Sequence, residues 1–192
     1  SFDPSEWLDE DDVVYGTQDK IRPEYRGLLV QPADRSLVGR YVIQMDTGEV
    51  VESRLFSDPE SWANVLYSRD DRTDPDRFGN FYWGTFGFDP ELLTQRFVDA
   101  YAAHPDRQVP LLDLPDDKLP SQLVRFNADA FEVQDRFVMP LGYIGLSPTF
   151  LPKRDSGIDE GYVQLFVVGD AGDEVWLFDA QNLSQGPVCR LG

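Results

Sequence analysis

The chain has 192 residues, 41% of them apolar and 13% aromatic, and carries 35 Asp and Glu against 17 Lys and Arg, a formal charge of −18. Such acidity repels phosphate backbones and anionic bilayer surfaces, which sets nucleic-acid and membrane-surface binding aside. The length suffices for one domain with a sizeable core, no apolar run approaches the roughly 18 residues of a membrane span, and the single cysteine (Cys189) excludes an internal disulfide and points to a reducing, cytoplasmic setting.

Residues 1–25 are acidic, with Asp12–Gly16 as a short strand candidate; Arg26–Gln31 is another, stopped by Pro32. Leu37–Met45 alternates, with Tyr41, Ile43 and Met45 on one face and Arg40, Val42 and Gln44 on the other. Asp46–Glu49 supplies a turn, and Val50–Phe56 returns antiparallel. Asn64–Ser68 and Asn80–Phe86 are predicted strands flanking a charged loop, 69–79. A helix is predicted over about 89–104: Asp89 caps, Pro90 and Glu91 suit the first turn, Leu93, Phe97, Ala100 and Tyr101 share a face, and Pro105 ends it. Pro110, Pro115 and Pro120 mark 106–120 as an extended connector. Gln122–Asn127 and Phe137–Met139 read as strands, and Leu141–Pro148 as a glycine-punctuated loop without the strand–turn–helix setting of a phosphate cradle. Gly161–Gly169, Glu174–Ala180 and Pro187–Leu191, separated by Asp170–Asp173 and Gln181–Gly186, form an antiparallel meander. Aromatic and β-branched residues, with 15 Gly and 14 Pro spread along the chain, suit many short strands and turns.

Few residues invite a chemical role. The carboxylates are scattered (9–12, 70–76, 113–117) and read as a solvated surface. A calcium loop at Asp70–Asp76 is the sharper alternative, but it lacks an EF-hand's glycine and terminal Glu, and Pro75 interrupts it. Cys189 lies in a strand with only Arg190 as a basic neighbour, the setting of a packed residue rather than a nucleophile. Phe81–Phe88 holds five aromatics in eight residues, which suits a buried strand better than a sugar- or polyene-binding platform. The one histidine, His104, falls at a helix end, where imidazole complements the unsatisfied carbonyls. A carboxylate-pair hydrolase is a distant third class, because nothing selects a pair.

Pro148–Pro152, Asp159–Val163, Glu174–Ala180 and Leu183–Leu191 together resemble the C-terminal region of the carotenoid cleavage oxygenase family. Arg40–Val50 resembles that family's blade hairpin, and Ser61–Tyr67 and Gly87–Leu93 are similar to one bacterial branch, so the resemblance covers most of the chain. It implies an all-β, mainly antiparallel fold: partial β-propeller blades with one inserted α-helix, residues 1–192 being a single partial domain. It also implies oxidative cleavage of a C=C bond in an apolar polyene or stilbene-like molecule, with O₂ and Fe(II) as the chemistry and four histidines as the iron ligands.

One histidine cannot make that site. The expectation is therefore that the chain, which starts without Met and stops at Gly192 directly after a strand, is a C-terminal piece of a longer enzyme clipped before its last ligand. It would act as scaffold, inactive alone, with no catalytic, cofactor-binding or metal-ligating residue of its own. In the family a Glu that orients an iron-bound histidine stands where this chain has Ser147, and no role is assigned to Ser147. The alternative is a non-catalytic β-rich binding module without the iron site. Either way, a partial propeller exposes sheet edges, so edge pairing into a homo-oligomer is expected.

Overall fold

A computed structural model describes residues 34–73, 78–90, 93, 101–169 and 172–192. Among these residues ten strands make up three antiparallel sheets. The first pairs β1 (Arg35–Ile43) with β2 (Val50–Trp62); the second runs β3 (Asn64–Ser68), β4 (Asn80–Thr85), β5 (Gln122–Asn127), β6 (Glu132–Val138); the third runs β7 (Tyr143–Pro152), β8 (Gly161–Gly169), β9 (Gly172–Asp179), β10 (Pro187–Leu191). In each four-stranded sheet the spatial order is the chain order, a pure meander.

The alternation of side chains across β4 and β5 dictates how the sheets stack. Tyr82 and Leu123 turn to one face, where they meet Phe150, Val163, Leu165, Trp176 and Phe178 of the third sheet. Trp83, Val124 and Phe126 turn to the other face, where Val38 and Phe56 of the first hairpin pack against them. The middle sheet is thus covered on both faces. Full removal of each such side chain from water contributes about 1.5–3 kcal/mol. A smaller cluster of Trp62, Phe88, Leu93 and Val109 lies under the connecting loops, with the Trp62 and Phe88 rings 4.9 Å apart.

Several elements follow the sequence reading closely. The 46–49 turn closes with the Gln44 N–H donating to the Glu49 carbonyl at 2.8 Å and Gly48 at φ +71°. β5 occupies 122–127 as expected, since Asn127 Oδ1 accepts the N–H groups of Asp129 and Ala130 and turns the chain there. The 81–88 stretch is largely buried strand: Tyr82 and Thr85 are sealed, and Phe88 bridges to Leu119. At Gly87 (φ +79°) a Cβ would run into the carbonyl oxygens of Leu119 and Pro120, so this close crossing requires glycine.

Other readings are corrected. The 141–148 segment is not a loop; from Tyr143 it is strand β7, which makes the C-terminal meander four-stranded. Gly145 stands in that strand because a Cβ there would strike Leu165, and Ser147 (φ +50°) sits at the bulge between Leu146 and Thr149. β2 runs past Phe56 to Trp62, its Pro59 tolerated beside the register shift between Arg35 and Leu37. β6 begins at Glu132, well before Phe137. The strand candidates Asp12–Gly16 and Arg26–Gln31 lie outside the described residues, as does most of the helix expected over 89–104 (91–92 and 94–100).

Candidate functional site

An open cleft of about 490 Å³ lies between the first hairpin and the middle sheet. One wall is the consecutive run Leu37–Tyr41 of β1. The opposite wall is aromatic: Tyr67, Phe81, Trp83 and Phe126 project from β3, β4 and β5. Tyr67 meets Phe81 edge-on at 5.3 Å, and Trp83 lies 5.0 Å from Phe126. Strand alternation explains this wall, since Phe81 and Trp83 share a face of β4 and Phe126 pairs with Phe81 across the ladder. Among the described residues, the buried Trp83 Nε1 and Asn64 Oδ1 have no hydrogen-bond partner. Such a cleft offers stacking and apolar contact; its titratable lining consists of Arg40, Tyr41 and Tyr67, with no carboxylate, imidazole or thiol.

A second constellation is polar and joins the middle and third sheets. The fully buried Asp70 accepts from Arg72 Nε at 3.0 Å, Arg72 Nη2 at 2.7 Å, the Arg72 N–H at 3.0 Å and the Asp159 N–H at 2.9 Å. Hydrogen bonding from the Arg72 guanidinium holds the Asp70 carboxyl below its usual range. The same guanidinium donates to the Ser156 carbonyl at 3.2 Å and the Gly157 carbonyl at 2.8 Å. Asp159 accepts from Asn80 Nδ2 at 2.8 Å through Oδ2, and its carbonyl accepts from Gln181 Nε2 at 2.6 Å. Its carboxyl is nonetheless pushed up, chiefly by burial. Burial also raises the Tyr82 phenol, whose hydroxyl has no partner among the described residues. A third tie joins β2 to β6, where Arg136 Nη1 lies 3.1 Å from the buried Asp58 and 2.9 Å from Glu60.

These ties revise the reading of Asp70. It is not part of a solvated acidic surface; Arg72 and the 153–160 loop close over it. With Arg72 occupying both carboxylate oxygens, Asp70 cannot serve a cation, and residues 74–77 of the proposed calcium loop lie outside the described residues. The described residues contain no group of three or more His, Cys, Asp or Glu placed to hold a metal ion. His104 is exposed, its Nδ1 accepting the Asp106 N–H at 3.3 Å. The one imidazole of the chain thus does not fit a four-histidine ferrous site. Ser147 is exposed on its bulge, and Cys189 is half-buried in β10. No sequence signal joined Asp159 to Asp70 and Arg72, and the aromatic run 81–88, read as buried strand rather than a binding platform, contributes Phe81 and Trp83 to the cleft wall.

No family model matches the chain, and no curated protein matches it. Among solved structures it is similar to the crystal structure of Pseudomonas brassicacearum lignostilbene dioxygenase, with a TM-score of 0.50 and 19% identity over 80% of this chain. The fold is that of partial β-propeller blades. The match spans 28% of the dioxygenase chain, so this sequence corresponds to little more than a quarter of that enzyme's length. At this identity the likeness concerns architecture alone. No helix among the described residues is long and apolar enough to cross a membrane.

Proposed function

We propose that this chain forms blades of a non-haem Fe(II) oxygenase that cleaves a C=C bond of an apolar polyene or stilbene-like molecule with O₂, and that it supplies scaffold rather than iron ligands. The observation that carries this reading is the pair of stacked four-stranded meanders, supported by the fold likeness to the lignostilbene dioxygenase. Iron and O₂ would supply the chemistry, from imidazoles outside this chain. The residues of this chain position sheets: Tyr82 and Leu123 seat the third sheet, and Asp70, Arg72 and Asp159 lock its 153–160 loop.

The second reading is a non-catalytic β-rich binding module, favoured by the exposed position of the sole histidine and by the aromatic lining of the cleft. Purified chain tests both. The oxygenase reading expects no stoichiometric iron and no alkene cleavage from this chain alone, with both gained when it is joined to polypeptide supplying the remaining blades and histidines. Iron held one-to-one by this chain alone would overturn the scaffold assignment. Failure of the joined protein to bind iron or cleave any stilbene or polyene would leave the binding module.

A further inference from the structure

The rings that line the aromatic cleft run from open to sealed. Tyr41, Tyr67 and Phe78 are 57%, 64% and 53% exposed, whereas Trp83, Phe126 and Phe131 are 6%, 1% and 7% exposed. A concavity of about 490 Å³ has the size of a small-molecule site, and rings left in water beside it are surface that a ligand would cover. Phe78 and Phe81 stand nearly parallel, 5.8 Å apart at 28°, which presents a flat face rather than a rounded one. Planar rings gain most from such a surface.

One charged side chain lines the cleft among the described residues. Arg40 is exposed and has no carboxylate partner among them; its Nη1 reaches the Ala128 carbonyl between β5 and β6 at 3.5 Å, the limit of a hydrogen bond. The Arg69 guanidinium lies 5.5 Å from the Phe78 ring, a second positive charge near the same lining. Of the two unpartnered polar atoms in that lining, Trp83 Nε1 is a donor and suits a ligand oxygen. An ammonium ligand would meet Arg40 with no carboxylate to balance it, and a sugar would need more polar partners than these walls supply. We propose that this cleft binds a planar aromatic carboxylate, its ring held by the aromatic lining and its carboxylate paired with Arg40. A guanidinium matches a carboxylate in a two-bonded fork, and the acidity of the rest of the chain is screened beyond about 8 Å in physiological salt.

Isothermal titration of the full chain with cinnamate tests this, with cinnamyl alcohol as the uncharged counterpart. Cinnamate is expected to saturate one site per chain. Arg40→Gln, a change at an exposed position, should weaken cinnamate by at least about 10-fold and leave cinnamyl alcohol unchanged. Phe81→Leu should weaken both, and Arg154→Gln, exposed and outside the cleft, neither. Absence of saturable binding at millimolar cinnamate would overturn the proposal, as would cinnamate binding undiminished in Arg40→Gln. An equal loss in Arg154→Gln would also overturn it by showing diffuse attraction to surface cations, and equally tight binding of 3-cyclohexylpropanoate would remove the role of the rings. None of these results touches iron or alkene cleavage, so the oxygenase reading stands or falls separately.

Discussion

The main-chain N–H of Asp159 donates to Oδ2 of Asp70 at 2.9 Å, across 89 positions of sequence. That bond joins the loop between β7 and β8 to the segment after β3. Two carboxyls therefore sit in one junction with opposite fates: Asp70 is stabilised as the anion by Arg72, and Asp159 is disfavoured as the anion by burial.

Removing either half of the Asp70–Arg72 pair should loosen the junction. Arg72→Ala strands a buried carboxylate and is expected to cost about 3 kcal/mol, and Asp70→Ala somewhat less because Arg72 keeps access to water. Arg72→Lys should not restore the loss, since one ammonium cannot serve two carboxylate oxygens and two loop carbonyls together. Urea unfolding midpoints measure all three.

The two carboxyls predict a stability profile with opposing slopes. Asp70, depressed in the fold, contributes stability that is present above its unfolded pKa and lost as pH falls through its folded value, below about 4. Asp159, raised in the fold, does the reverse: ionised at neutral pH it opposes folding, and protonation on acidification relieves that. Thermal melts should therefore show stability rising on mild acidification before it falls below about pH 4. Asp159→Asn should abolish the rise and keep the fall.

Tyr82→Phe deletes a buried hydroxyl that has no partner among the described residues while keeping the ring stacked on Phe150 at 5.6 Å. Stability should be unchanged or slightly higher, because an unsatisfied polar group is lost and no cavity lining changes. A loss above about 1 kcal/mol in chemical denaturation would mean that the hydroxyl is bonded.

Gly87→Ala forces a Cβ onto the Leu119 carbonyl at a φ of +79°. Backbone strain and overlap should together cost about 2–4 kcal/mol, read as a lower melting temperature. Gly48→Ala, at φ +71° but with open space around it, should cost no more than about 1 kcal/mol.

Strands whose pattern is local were legible before the fold was known. β1, β5, β8 and β10 follow from alternation and from turn residues such as Gly48 and Asn127, which act within a few positions. β7 was obscured because Gly145 and Pro148 carry the composition of a turn, while the reason for Gly145 lies in Leu165, two strand lengths away. Asp70 looked like surface charge for the same reason: its partner Arg72 is adjacent, but the loop that seals both is not. Of the cleft only the aromatic run at Phe81–Trp83 was legible, as its walls come from three strands of one sheet and one of another. The histidine count, by contrast, needs no fold: one imidazole settles that this chain cannot complete a four-histidine cage.

The middle sheet is sandwiched, with Tyr82 gripping one neighbour and Trp83 the other from adjacent positions of a single strand. A molecule built this way should come apart like a stack of cards. Pulled from its two ends, it is expected to yield in successive force steps, each releasing one outer sheet, with the middle one failing last because its support is removed from both sides.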